Sequence, residues 1–362
     1  MSEIIIIIKG SLDKAVPIIS IAKNFNANNH NVRILCGCIS PMLKENFRNT
    51  GISITSLNIN ENDGKNPFSQ KIRSWVSFRI GVKRFLKTAE YEYLYIATGD
   101  TAIDLKGIYD KSKYILHLRE LYDSSPLYMK LLEKIARRAY KVVVPELNRA
   151  YLYYHFLKLD TVPSIIVNRP FDHPRTRKMD IDFLDPEIQT KIKTKKNIIY
   201  QGPIARERDL TKLVEASLEW NSNEYNLILL GKDYGMLDVY RKINPNILHI
   251  PFVSPPLHLN ITSWAYIGVI AYDLKSLNTI YCAPNKVWEF SGFGIPVLGS
   301  CNPGLFSSIG YFNAGKLVDF YNCDKIINGI DFIINNYDIM RKNAVKMYDN
   351  AELNINELLN NS

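Results

Sequence analysis

Five isoleucines in a row, Ile4 to Ile8, constrain this chain more than any other feature. Successive side chains on a strand point to opposite faces, so an unbroken apolar run is greasy on both. Such a strand needs cover on both sides, as in a parallel sheet flanked by helices. The run is too short to span a bilayer and reads as a buried strand rather than a leader. The residues that follow agree. Gly10-Ser-Leu-Asp-Lys14 is a loop, Val16 to Asn26 has helical amphipathicity, and Val32–Cys36 is the next strand. Strand, loop, helix and strand in this order predict a right-handed crossover and a parallel sheet.

The alternation continues and then restarts. Further strands are expected at Tyr93–Ala97, Lys113–His117, Val142–Val144 and over 164–170, with a helix from Lys130 to Tyr140. Residues 171–195 are rich in Asp, Pro, Arg and Lys without a clear apolar period, and read as a linker. The second series has strands at Asn197–Tyr200, Asn226–Leu230, Ile247–Pro251, Ala265–Ala271 and Val297-Leu298, a helix from Leu210 to Glu219, and helical residues 324–350. A chain of 362 residues has room for two such domains. The expected boundaries are 1–170 for the first domain, 171–195 for the linker, 196–335 for the second domain, and 336–362 for a C-terminal helix returning to the first. The Asn-rich tail from Glu352 is expected to fray.

The net charge of +9 allows nucleic acid, an anionic membrane or an anionic substrate as partner. No zinc-finger spacing or RNA-binding signature is present, which argues against nucleic acid. Residues 69–89 point to a membrane surface instead. They carry Lys71, Arg73, Arg79, Lys83, Arg84 and Lys87 without an acid, beside Trp75, Phe78, Val82, Phe85 and Leu86 at helical spacing. A basic amphipathic helix of this kind can lie on anionic lipid. A core helix with a solvated basic face has the same pattern. Five cysteines, odd in number and without a ligand pattern, suggest reduced thiols in a cytoplasm. The loop after the first strand lacks G-x-G-x-x-G, which argues against a dinucleotide cofactor.

The stretch with most chemistry is 274–300. After the strand Ala265–Ala271 comes a polar loop. Pro284 then suits a helix start, the helix is expected over Asn285 to Phe293, Gly294 stops it, and Pro296 leads into a strand. A helix N-terminus thus opens toward a strand's carboxyl end, where free N–H groups favour phosphate. Lys286 and Glu289, three apart, share a helix face. A cation for phosphate and a carboxylate for ribose hydroxyls fit a nucleotide diphosphate; an ordinary surface ion pair has the same spacing. A second candidate anion site is the loop Gln201-Gly-Pro-Ile-Ala-Arg-Glu-Arg-Asp209.

The run Ala283-Pro-Asn-Lys-x-x-Glu-x-x-x-x-Gly-x-Pro-Val297 resembles the donor-site segment of GT-B glycosyltransferases, most closely the bacterial surface-polysaccharide enzymes of group 1, family 4. The resemblance implies an α/β fold of two Rossmann-like domains with parallel sheets facing across a cleft, residues 1–170 binding the acceptor and 196–335 the nucleotide-sugar donor. It implies transfer of a sugar from a nucleotide diphosphate sugar to a saccharide or lipid-linked saccharide acceptor. No metal or other cofactor is expected, because no acidic metal triplet stands out, and the thiols and the basic block place the expected activity in the cytoplasm or peripherally on the inner membrane face. The implied donor residues are Gly10, Arg206, Arg208, Ser276, Asn278, Asn285, Lys286 and Glu289, with Glu289 on the ribose and Arg208 or Arg206 on the diphosphate. Retaining relatives often carry a second glutamate eight positions before the one matching Glu289; here Tyr281 stands there. Retention and inversion therefore both stay open. For inversion the candidate general bases are Asp13, His117 and Glu120, near the ends of first-domain strands. A non-hydrolysing epimerase of UDP-sugars shares the architecture, and a non-catalytic sugar-binding protein is a third reading.

Overall fold

The computed structural model describes residues 1–59, 68–123, 125–351 and 355–360. The chain forms two compact units, Met1–Phe171 with the C-terminal residues from 353, and the residues 172–352 between them.

The first unit is built on a seven-stranded sheet in the order β3-β2-β1-β4-β5-β6-β7. Its strands are β1 (Glu3–Ser11), β2 (Asn31–Cys38), β3 (Ser53–Ser56), β4 (Tyr93–Ile96), β5 (Tyr114–His117), β6 (Lys141–Val144) and β7 (Ser164–Ile165). Every pairing is parallel. The isoleucine run is the central strand: Ile4–Ile7 are fully buried, with β2 on one side and β4 on the other. The helix Val16–Ala27 buries Ile18, Ile21 and Phe25 in the same core. At the carboxyl edge β1 and β2 pass closely. Gly10 has φ 96°, and a Cβ on Gly37 would lie 2.8 Å from the Gly10 nitrogen. Residues 355–358 return to this unit, burying Ile355 and Leu358. The Leu359 carbonyl accepts the Tyr93 hydroxyl at 3.0 Å, so this part of the tail is anchored. Glu352 and the last two residues lie outside the described residues.

The second unit has a six-stranded parallel sheet in the order β10-β9-β8-β11-β12-β13. Its strands are β8 (Lys196–Gln201), β9 (Tyr225–Leu230), β10 (Leu248–Ile250), β11 (Ala265–Ile270), β12 (Val297–Ser300) and β13 (Gly315–Val318). Residues 172–195 belong to this unit, with Pro186–Thr194 a helix. They are fastened rather than free: Ile181 and Ile192 are fully buried, and Arg177 donates to the carbonyls of Ser263 (2.8 Å) and Ala265 (2.5 Å). Residues 324–350, expected as helical, form two helices, Cys323–Asn335 and Tyr337–Asn350, both in the second unit.

In each sheet the strand order reverses direction once, between β1 and β4 and between β8 and β11. At such a switch point the loops leaving neighbouring strands diverge and open a crevice at the carboxyl edge, where doubly wound sheets bind ligands.

Candidate functional site

The residues singled out in 199–213 and 276–289 converge on the switch point of the second sheet. The loop after β8 contains Gly202, φ 152°, which leaves no room for a side chain. A Cβ there would sit 2.7 Å from Lys286 Nζ, and one on Gly231 would fall 1.9 Å from the Gly202 oxygen. The backbone must therefore pass directly beneath Lys286. Arg206–Arg208 is a single 3-10 turn; Arg206 is exposed and Arg208 half-buried. The helix Asn285–Gly292 starts after Pro284 (φ −75°, ψ 140°) and ends before Gly294 at φ 64°, close to the expected bounds. Its first residue, Asn285, is half-buried.

Two aromatic rings hold the two cations together. The Arg208 guanidinium lies 3.9 Å from the Tyr272 ring centroid. Lys286 Nζ is 5.0 Å from the Tyr200 ring and 5.8 Å from the Tyr272 ring. Neither cation makes an ion pair among the described residues. Burial, and next the Arg208 charge, push the lysine pKa down to about 8, with Glu289 pulling weakly the other way. Two positive groups held this close create a local positive potential.

Glu289 is 5% exposed and lies within a hydrogen-bonded set that its spacing gave no sign of. Gln201, at the end of β8, donates Nε2 to its Oε2 at 2.6 Å, and Thr262 donates its hydroxyl to Gln201 Oε1 at 2.8 Å. His258 Nε2 is 3.4 Å from Glu289 Oε1. Burial raises the carboxyl pKa, but His258, Gln201 and Lys286 together outweigh it and hold the group below its usual range. Gln201, Thr262 and His258 come from β8 and the helix His258–Thr262, and no local motif links them to Glu289.

The other candidates are placed as follows. Ser276 caps the short helix Leu277–Ile280 through a reciprocal bond set with Thr279; the segment is not an irregular loop. Asn278 lies within that helix, half-buried, and Tyr281 is its C-cap. Gly10, Asp13, His117 and Glu120 all belong to the first unit. Asp13 accepts from Ser11 Oγ (3.0 Å), from the Ser40 N–H (2.9 Å) and from the Ser40 hydroxyl. Burial pushes its pKa up, and these bonds pull it down further, so it ends lowered. His117 is fully buried, its Nδ1 3.0 Å from the Tyr95 hydroxyl, and burial takes its pKa to about 3. Glu120 is exposed. Asp13 is half-buried with its carboxylate held by Ser11 and Ser40, whereas His117 Nε2 is buried without a hydrogen-bond partner among the described residues.

One Asp-x-Asp triplet occurs, Asp180-Ile-Asp182. Asp180 Oδ1 accepts the Asp182 N–H at 2.9 Å, and the Asp182 carboxylate is 3.4 Å from Lys193. Among the described residues no three His, Cys, Asp or Glu side chains are grouped as metal ligands.

No protein-family model matches the chain, and no curated protein matches it in sequence. Solved structures do. HepE of Anabaena, in complex with UDP-glucose, superposes with a TM-score of 0.71 at 12% identity, covering 99% of this chain and 97% of that one. The sucrose-phosphate synthase of Thermosynechococcus elongatus gives 0.67 at 13% identity, covering 99% and 95%. The fold is GT-B. A structure described as a putative UDP-N-acetylglucosamine 2-epimerase from Listeria monocytogenes also matches, with a TM-score of 0.59 at 13% identity over 95% and 91% of the two chains. GT-B chains of differing chemistry therefore share this framework, and fold alone does not choose a reaction. Among the described residues no helix is long and apolar enough to cross a membrane.

Proposed function

We propose that this protein is a glycosyltransferase that takes its sugar from a nucleotide diphosphate donor, with UDP as the first nucleotide to test. One observation carries the reading: two cations that make no ion pair among the described residues, Arg208 and Lys286, stand beside a buried carboxylate, Glu289, at the switch point of the second sheet. The cations suit a diphosphate, and the carboxylate suits the two ribose hydroxyls. In the reaction the bond between the anomeric carbon and the diphosphate breaks, the acceptor hydroxyl oxygen bonds to that carbon, and the hydroxyl proton leaves to a base or to the departing diphosphate. Charge grows on the departing diphosphate oxygen, so fixed cations there lower the barrier. UDP and UDP-glucose should raise the melting temperature, because ligand bound to the native state stabilises it. No shift at millimolar UDP, GDP, ADP or their sugars would end the proposal.

The epimerase reading is favoured by one of the matching structures, and incubation with donor alone separates it. An epimerase makes a new nucleotide sugar without an acceptor; a transferase does not.

We assign the acceptor to a saccharide or lipid-linked saccharide, as in bacterial surface polysaccharide synthesis, with the helix Phe68–Thr88 of the first unit on an anionic membrane. Two faces of that helix support this. Phe78 and Val82 are buried, whereas Ile72, Val76 and Ile80, four apart along the helix, are 41–53% exposed beside Lys83, Arg84 and Lys87. Arg79 is not part of the outward face, since its guanidinium donates to the carbonyls of Asp104 and Lys106.

A further inference from the structure

The carboxyl edge of β12 reaches back to one segment, residues 272–282, through side chains that the fold itself does not call for. Ser300, the last residue of β12, is 4% exposed. Its hydroxyl accepts the Tyr272 N–H at 2.8 Å and donates to the Ile270 carbonyl at 3.5 Å. Asn302 is 1% exposed and stands at the N-cap of the short helix Pro303–Leu305. An asparagine there ordinarily accepts from the first turn through its side-chain oxygen. Asn302 makes no such cap, and its Oδ1 is buried without a hydrogen-bond partner. Its Nδ2 instead donates to the carbonyls of Asp273 (3.1 Å) and Thr279 (3.0 Å), 29 and 23 positions back. A buried acceptor left unpaired costs stability, so the two donations, not capping, account for the amide. Gly304 then lies against the same segment: a Cβ there would come 2.4 Å from the Cys282 oxygen.

The gripped segment carries Tyr272, whose ring lies 3.9 Å from the Arg208 guanidinium and 5.8 Å from Lys286 Nζ. One amide nitrogen ties both ends of residues 273–279, and the serine fixes the backbone from which the tyrosine ring projects. Inside the loop the Asp273 carboxylate accepts the Lys275 N–H at 3.1 Å, and Ser276 and Thr279 cap the helix Leu277–Ile280. Bonds within the chain therefore shape the loop. Groups held by such a supporting layer lose little freedom when a ligand binds.

We infer that Ser300 and Asn302 are positioning residues of the donor site: they fix residues 272–279 and, through the Tyr272 ring, keep the Arg208 guanidinium beside Lys286. That this arrangement serves a diphosphate rests on the proposed function; the coupling from Ser300 to Lys286 does not. The coupling has its own signature. Burial first and the Arg208 charge next lower the Lys286 pKa to about 8. If Tyr272 loosens, Arg208 moves off, and the ammonium form becomes easier to keep.

The test follows the Lys286 side chain by NMR across pH, in the full chain with isotope-labelled lysine, its signal assigned from Lys286→Met. The proteins are wild type, Ser300→Ala, Asn302→Leu and a control, Asn244→Ala. The control loses a buried amide that donates to the Ser217 hydroxyl at 2.8 Å, just before β10 at the opposite edge of the sheet. The Lys286 midpoint should lie near 8 in wild type and roughly 0.5–1 higher in Ser300→Ala and Asn302→Leu. UDP affinity should fall about tenfold in both. The control should melt lower with midpoint and UDP affinity unchanged, the pattern of a merely structural loss. Ser300→Ala removes one hydroxyl only and decides the matter if Asn302→Leu does not fold. The inference is overturned if the midpoint in Ser300→Ala matches wild type, if wild type and that variant bind UDP equally well, or if the control shifts the midpoint as far. A raised midpoint in a protein that binds no UDP in any form would keep the positioning of Arg208 and sink the transferase reading.

Discussion

Replacing Glu289 tests the donor site most sharply, provided folding and binding are read separately. Glu289→Ala removes the acceptor of Gln201 Nε2 (2.6 Å) and the partner of His258 Nε2 (3.4 Å), both inside the protein. A buried donor without a partner costs about 1–3 kcal/mol, and the longer His258 contact counts at the low end. The alanine variant should therefore lose roughly 2–4 kcal/mol of stability before any ligand is added. Glu289→Gln keeps the shape and one acceptor for Gln201, and should lose about 1 kcal/mol. Ribose binding is a separate quantity. Charged hydrogen bonds to the two hydroxyls contribute about 1.5–3 kcal/mol, or about 10- to 100-fold in affinity. Calorimetric titration of wild type and Glu289→Gln with UDP and 2′,3′-dideoxy-UDP separates the two. Wild type should bind UDP at least tenfold more tightly than the dideoxy analogue, and the folded variant should bind both alike. An undiminished preference for UDP in the variant would refute a contact between Glu289 and the ribose, leaving the carboxylate a purely structural part of the Gln201–His258 set.

Four further outcomes are expected. Arg208→Ala should lower turnover by about 10²-fold, the scale of one preorganised donor at a charged transition state, with a small change in melting temperature because Arg208 is half-buried on Tyr272. UDP binding should weaken about tenfold between pH 7 and pH 9, as Lys286 loses its proton around pH 8, and Lys286→Met should bind weakly with no such pH dependence. His117 stays neutral when folded but protonates in the unfolded chain below pH 6.5, so the unfolded state takes up more protons and stability drops as pH falls from 6.5 toward 3; urea midpoints should show about 2 kcal/mol more loss from pH 7 to pH 5 in wild type than in His117→Gln. Vesicles with anionic lipid should bind the protein in a salt-sensitive way, each basic residue adding about 1 kcal/mol, and Lys83, Arg84 and Lys87 changed together to Gln should release it; flotation free of such vesicles at low salt would remove the membrane role.

The central strands were legible because each carries its own apolar run. The edges were not. β3 is Ser-Ile-Thr-Ser and β13 is Gly-Lys-Leu-Val, each paired along one side, so neither needs the two-faced apolar signal that marks β1. The helix Asn285–Gly292 was readable from Pro284 and Gly294, since caps are local chemistry. Residues 172–195 misled for the opposite reason: Arg177 is fixed by distant carbonyls of Ser263 and Ala265, which no local period reveals.

The same divide between local and distant runs through the site. Lys286 and Glu289 announced themselves because one helix turn carries both. Their environment comes from elsewhere: Gln201 is 88 positions from Glu289, and Arg208 meets Lys286 across Tyr272. That environment decides the chemistry. Left alone on a helix face, Lys286 and Glu289 would pair and neutralise each other. Here Gln201 and His258 hold the carboxylate, while burial and Arg208 disfavour the lysine's charge. On the proposed function, the cation is thereby left with an electrostatic deficit that an arriving diphosphate would relieve. A pair that spacing alone reads as a weak surface bridge is divided because the β8 edge and the helix His258–Thr262 claim one member of it.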